Sequence, residues 1–270
     1  MSDLADFVRA HDPDRFLCAL FAPAPRRPAL FALLALNHEL ARAREAASNP
    51  LAAMIRVQWW REAVQEADAG KPARRHEVAA PLHAAITARE LDPADLLALA
   101  DAREAEMDEE GFASRGAFEA WLRGTAGGVA VAAGRLLGAP SAALPVLQAL
   151  GALYGLAGVL RSIPFHAAQG RCLLPEDLLA AAGSDAGAVI GDPEAGSPVA
   201  RAMAVEGLER LAEARRAARR VVPRNAVAAA LPAVLAGRDL RRIGRGGRPA
   251  PHRGFGDRLA VTLAGLTGRI

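Results

Sequence analysis

Apolar residues recur along this chain at three- and four-residue intervals and rarely in strict alternation, so the pattern predicts one helix after another. Leu30, Leu33, Leu34, Leu36 and Leu40 line one stripe that runs to about Ala47, and Pro23, Pro25 and Pro28 separate it from a shorter helix near 13–22. Ser48-Asn49-Pro50 reads as a stop followed by a new start. The next helix runs from about Leu51 to Ala69 through Ile55, Trp59 and Val64, and closes at Gly70-Lys71-Pro72. A helix at about 78–89 follows. Asp92-Pro93 then opens another, with Asp as the cap and Pro at the first helical position, and it ends in the acidic run Glu104 to Glu110.

Residues 114–137 predict a further helix carrying Gly124, Gly127, Gly128 and Gly134. Each glycine costs a helix about 1 kcal/mol against alanine, which close packing of a neighbouring helix, or room for a long apolar ligand, would offset. Helices at 140–163, from Pro175-Glu176-Asp177, at about 199–219 and at 224–243 come next, with 182–198 reading as a loop. Gly244 to Gly256 reads as a mobile basic connector before a last apolar segment, Leu259 to Leu266. There is no internal repeat and no clear boundary, so residues 1–270 are expected to form a single all-α domain.

Composition supports that class: 52% of residues are hydrophobic and only 4% aromatic, with alanine and leucine throughout. Cys18 and Cys172 have no metal-ligand spacing and no disulfide framework, which fits a reducing compartment. The chain begins Met-Ser-Asp-Leu-Ala-Asp, acidic where a targeting segment is basic. No uninterrupted apolar run approaches the roughly 20 residues a bilayer span needs. A cytoplasmic protein is expected, either soluble or peripheral on the inner face of the membrane. The net charge of +3 is uneven: residues 201–258 hold fourteen Arg against five acids, a net +9. Such a basic C-terminal third suits an anionic membrane surface. It does not suit nucleic acid, because Phe255 is its one aromatic residue and no base-reading motif accompanies it.

The candidate chemistry lies in Leu160 to Pro175, which contains Arg161, Ser162, His166 and Arg171. Ser162 and His166 stand four apart, so a continuous helix would project both from one face. Two carboxylates there would make half a magnesium site; a hydroxyl and an imidazole do not.

Three stretches together resemble the squalene/phytoene synthase family. Arg26-Arg27-Pro28 to Leu33 is similar to its Arg-Arg segment, Leu122-Arg-Gly-Thr-Ala-Gly-Gly-Val to Gly138 to its Gly/Ala-rich central helix, and Leu160-Arg161 with Gly170-Arg171 and Leu174-Pro175 to the surroundings of its second aspartate-rich motif. Leu231-Pro232 to Leu240-Arg241 is also compatible. The resemblance implies an isoprenoid-synthase-like helical bundle around a central cavity. It also implies head-to-head joining of two prenyl diphosphates with Mg²⁺ held between two D-x-x-x-D motifs. Here the first motif falls on Ala41-Arg42-Ala43-Arg44-Glu45 and the second on Ser162-Ile163-Pro164-Phe165-His166, so Glu45 is the one carboxylate kept. Arg42, Arg44, Arg161 and Arg171 remain able to pair with a phosphate.

The stretches Asn37 to Glu45, Ile55 to Glu62 and Pro164 to Ala168 look most like a non-catalytic branch of that family, whose mitochondrial members assist assembly of respiratory complex I. The resemblance therefore implies binding or assembly, with respiratory-complex subunits or assembly proteins as partners, an isoprenoid or lipid as possible ligand, and no metal or other cofactor. The alternative is a divergent prenyltransferase that draws its Mg²⁺ ligands from Glu104, Glu106, Asp108, Glu109 and Glu110.

Overall fold

The computed structural model describes residues 2–47, 49–107, 111–247 and 252–270, with side chains from Leu4 onward. Among these residues the chain forms sixteen α-helices and no strand. They are α1 (Ser2–His11), α2 (Pro13–Ala19), α3 (Arg27–Glu45), α4 (Pro50–Asp68), α5 (Ala79–Thr87), α6 (Pro93–Ala102), α7 (Arg115–Leu122) and α8 (Gly128–Leu136). The second half holds α9 (Leu144–Arg161), α10 (Ile163–Ala168), α11 (Glu176–Ala181), α12 (Ala186–Gly191), α13 (Ser197–Val221), α14 (Val227–Ala230), α15 (Pro232–Gly244) and α16 (Phe255–Thr267).

The starts follow from side-chain chemistry. Asn49, Asp92, Ser114 and Asp185 each accept a hydrogen bond from a backbone N–H two or three residues on, at Ala52, Ala94, Ala117 and Ala188, and so satisfy donors that a helix start leaves unpaired. α9 is the hub, packed against α8, α13 and α15. Leu147, Leu150, Leu153, Leu156 and Leu160 on it are all buried. Residues 141–161 are long and apolar enough to cross a membrane, but their apolar residues are largely spent inside the bundle.

The glycine-rich stretch is not one continuous helix. Between α7 and α8, Arg123–Gly127 forms a single wide π-helical turn, in which the Thr125 hydroxyl donates to the Trp121 carbonyl at 2.8 Å. α9 crosses it closely, and a Cβ on Gly151 would lie 2.5 Å from the Ala126 carbonyl oxygen. Close packing thus accounts for the glycines here. Trp60 is buried, whereas Trp59 is half-covered and lies under the Arg74 guanidinium, 4.9 Å from its ring centre. The 100° step between neighbours on a helix produces this division.

Three segments differ from the sequence expectation. Residues 2–11 form a helix. The 182–198 segment is not a loop, since it contains α12 and a 3-10 turn at Pro193–Gly196, each capped by an aspartate, Asp185 and Asp192. Of the expected mobile connector, 248–251 lie outside the described residues, while Arg253 is fixed by ion pairs and Phe255 already begins α16. Buried residues from Val8 to Ile270 form one continuous apolar cluster.

Candidate functional site

The two motif segments lie at the end of α3 and at the α9–α10 junction. On α3, Ala41 and Arg44 are half-buried while Arg42 and Glu45 reach solvent. The Ser162 N–H donates to the carbonyls of Gly158 and Val159, both at 3.0 Å, and closes α9; its carbonyl accepts from the His166 N–H at 3.0 Å and opens α10. Ser162 and His166 therefore straddle a junction instead of sharing the face of one helix. Pro164 is the cause, because it has no N–H with which to continue the α9 ladder.

Arg171 joins the two segments. Its Nη2 donates to the Glu106 carbonyl at 3.2 Å, and its charge acts on both Glu45 and His166. Arg44 opposes Arg171, whose pKa burial lowers. Glu106 is buried and accepts from Arg103 Nη1 at 2.6 Å and from Trp121 Nε1 at 2.7 Å, while Arg103 Nη2 reaches Asn37 Oδ1 at 3.0 Å. Desolvation and the Glu106 charge raise the Glu45 carboxyl, against the pull of Arg171, Arg42 and Arg103, although much of the Glu45 surface stays open. Arg42, Arg44, Glu45, His166 and Arg171 thus form one cluster.

Its donor set does not suit the magnesium that the family resemblance implies. Among the described residues no three His, Cys, Asp or Glu gather as metal ligands. Glu106 is committed to Arg103 and Trp121, and the charges that act on Glu45 besides Glu106 are the cations Arg171, Arg42 and Arg103, whereas a divalent cation would need further carboxylate and water oxygens. Of the other acids in the run, Glu104 is turned outward and pairs with Arg61; Asp108, Glu109 and Glu110 lie outside the described residues.

Arg161 belongs to a second cluster, which the sequence pattern did not suggest. Arg253 Nε and Nη2 clamp the Asp14 carboxylate at 2.7–3.0 Å, and its Nη1 reaches Asp239 at 2.8 Å. Arg161 stands 3.8 and 3.7 Å from the same two acids, and Tyr154 donates to Asp14 at 3.4 Å. Burial raises the Asp239 carboxyl despite Arg253. The one available signal was Asp239 itself, a lone acid on a stripe formed by Leu235, Ala236, Leu240 and Ile243.

Beneath this cluster Arg15 stacks over Tyr154, 4.7 Å from its ring centre, and closes the central crevice of the bundle. The crevice, lined by Cys18, Leu34, Ala130 and Gly151, measures about 30 Å³. That admits a water or two, not the several hundred Å³ that a prenyl chain needs. Outside it, a groove of about 600 Å³ runs past His11, Asp12, Asp14, Arg161, Arg253 and Arg258.

Half-buried histidines border both clusters. His38 Nε2 and His166 Nδ1 have no hydrogen-bond partner, and each pKa is lowered to about 4, first by burial and then by His11 and Arg42 for His38 and by Arg171 for His166. An unfolded chain protonates these rings near the usual 6.5. Between pH 6.5 and 4 the unfolded state therefore binds more protons, and stability should fall as pH falls through that window. Melting temperatures measured across it should drop less steeply for His38→Gln/His166→Gln than for the wild type; equal slopes would exclude these rings as the source. Cys172 is buried beside His166 with its pKa raised, so Arg171 does not activate it.

A family model described as squalene/phytoene synthase matches residues 8–264. NADH dehydrogenase (ubiquinone) complex I, assembly factor 6, of Homo sapiens is 26% identical over 174 residues, which cover 64% of this chain and 52% of that protein. The Rattus norvegicus protein of the same name is 28% identical over 174 residues. The chain spans about half the length of these curated relatives. Among solved structures, a dehydrosqualene synthase in complex with ligand superposes with a TM-score of 0.80 at 12% identity, covering 98% of this chain and 94% of that one. The squalene synthase HpnC from Alicyclobacillus acidocaldarius does so with 0.74 at 20%, covering 90% and 92%. The family match over nearly the whole chain and the shared helical fold lead to one conclusion: the chain belongs to the squalene/phytoene synthase family.

Proposed function

We propose that this chain is a non-catalytic, single-domain member of its family that acts in binding or assembly of a respiratory complex of the complex I type, at an anionic membrane surface. The observation that carries the reading is the set of residues at the motif positions, where Arg42 and Arg171 act on the lone motif carboxylate Glu45, Arg44 stands on the same helix, and Ser162 and His166 replace the opposing pair. Among the described residues there is no pair of facing oxygen-ligand sets to hold the Mg²⁺ that would draw charge from a diphosphate leaving group. The similarity to complex I assembly factor 6 supports the assembly role. An isoprenoid or lipid ligand would occupy the outer groove of about 600 Å³, since the central crevice is too narrow.

The test is a product assay of the purified protein with farnesyl or geranylgeranyl diphosphate and Mg²⁺, alongside Ser162→Asp/His166→Asp. No condensed product is expected from the wild type. The double variant is also expected to be inactive, because restoring acids on one side leaves Arg42 and Arg44 on the other. Robust Mg²⁺-dependent condensation by the wild type would overturn the reading in favour of a divergent prenyltransferase.

A further inference from the structure

α16 is apolar on two opposite sides. Val261, Ala264 and Gly265 face the body, and a Cβ on Gly265 would lie 2.4 Å from the Phe21 ring. On the other side stand Phe255, Leu259, Leu263 and Leu266, which are 81%, 43%, 54% and 60% exposed. At about 100° per residue these four form one stripe along the outer face. They account for four of the ten large apolar side chains exposed among the described residues, on a helix of only 13. A concentration of that kind marks a contact surface, whereas singly scattered apolar residues do not.

Arginines surround the stripe. Arg258 is exposed on its flank, Arg269 follows its last turn, and Arg224 Nη2 donates to the Leu266 carbonyl at 2.8 Å, which places a cation at the C-terminal end of the helix. The helix is also held firmly: Arg238 pairs with Asp257 in its first turn, and Arg253, two residues before it, is clamped between Asp14 and Asp239.

We propose that the outer stripe of α16 inserts into the interface of an anionic lipid bilayer, with Phe255, Leu259, Leu263 and Leu266 at the acyl boundary and Arg224, Arg258 and Arg269 among the lipid phosphates. Charge complementarity selects this occupant. A second copy packed stripe to stripe about a twofold axis would bring the same arginines against one another, and an uncharged protein groove would leave them without counterions. An anionic bilayer supplies apolar depth under the stripe and phosphates around it. The inference rests on the membrane-surface part of the proposed function and is independent of the assembly role.

The test uses the full chain and vesicles of phosphatidylcholine with or without phosphatidylglycerol. Cys18 and Cys172 are both buried, so a Leu263→Cys variant can be labelled selectively in the native state with an environment-sensitive fluorophore. The label should shift to the blue on phosphatidylglycerol-containing vesicles and stay unchanged on pure phosphatidylcholine, while the same label at Ala202→Cys, exposed on α13, should not respond. Leu259→Glu/Leu263→Glu, altered only on the exposed face, should keep the wild-type circular dichroism and partition at least about tenfold more weakly. If the double variant binds vesicles as the wild type does, the membrane reading stands and the role of α16 falls. If the wild type binds neither vesicle, both fall. Loss of a wild-type dimer in the double variant, without vesicle binding, would assign the stripe to a second copy and overturn the proposal.

Discussion

Arg253→Ala is expected to destabilise the protein by about 3–5 kcal/mol, the usual cost of removing one partner from a buried charge cluster. The magnitude follows from what is left behind. Asp14 and Asp239 come from α2 and α15, their side chains are only 10% and 3% exposed, and four hydrogen bonds from one guanidinium satisfy them. Without it, Arg161 at 3.7–3.8 Å is the cation that remains beside both acids among the described residues, too distant for good hydrogen bonds. In a chain of this size the loss corresponds to a melting temperature lower by about 5–9 °C.

Two companion variants separate orphaned charge from lost packing. Arg253→Lys restores a point charge but cannot fork to two carboxylates, so it should fall between wild type and alanine. Adding Asp239→Asn to Arg253→Ala should recover part of the loss, because the burial penalty applies to an uncompensated anion. The pH dependence has a definite sign. Burial already raises the Asp239 carboxyl, and Arg253→Ala removes the guanidinium that opposes the rise, so the penalty is present at neutral pH and shrinks as pH falls through the raised value. The gap in melting temperature between wild type and variant should narrow in acid. A constant gap, or a further loss on adding Asp239→Asn, would rule out this account.

The helical order was readable because it rests on local signals: capped starts at Asn49, Asp92 and Ser114, and the leucine stripe of α3. Those signals failed where one residue type serves two purposes. The 182–198 segment read as a loop although its Asp185 and Asp192 are caps, and the glycines of 124–134 read as one helix although α9 crosses at a wide π turn that no periodicity announces. The motif positions were likewise legible one by one, but their joining was not. Arg171 reaches Glu106 across 65 residues of sequence, and Arg253 reaches Asp14 across 239; spacing along a chain carries no information about such pairs. Pro164 was visible as a helix breaker, yet that it leaves Ser162 and His166 on either side of a junction depends on how α9 ends against the core.

The two clusters share a physical logic. In each, a guanidinium is brought beside acids: Arg171 acts on the Glu45 charge while its Nη2 holds the Glu106 carbonyl, and Arg253 bonds both Asp14 and Asp239. A tethered guanidinium neutralises the acids permanently and lets the helices close, consistent with a central crevice of about 30 Å³ in place of a ligand-sized cavity.

Glu106→Ala should cost about as much as the loss of Arg253, again about 3–5 kcal/mol, since it takes from the buried Arg103 guanidinium its carboxylate partner among the described residues and leaves Trp121 Nε1 without its acceptor. Glu106→Gln, which keeps an acceptor for Trp121 but not the charge, should lose less. Glu104→Gln breaks an exposed pair with Arg61 and should cost no more than about 1 kcal/mol. Denaturant titrations of the three variants distinguish a structural acid from a metal-ligand acid, because removing a ligand from a magnesium site would lower activity and spare stability. The Glu106 charge also raises the Glu45 pKa, so in Glu106→Gln the Glu45 carboxyl should titrate at lower pH than in the wild type, readable by carbon-13 NMR of the side chain. If Glu106→Ala proved as stable as the wild type and the Glu45 titration did not move, the acids of the run would be free to serve a ligand, and the arginine-filled cluster would lose its structural role.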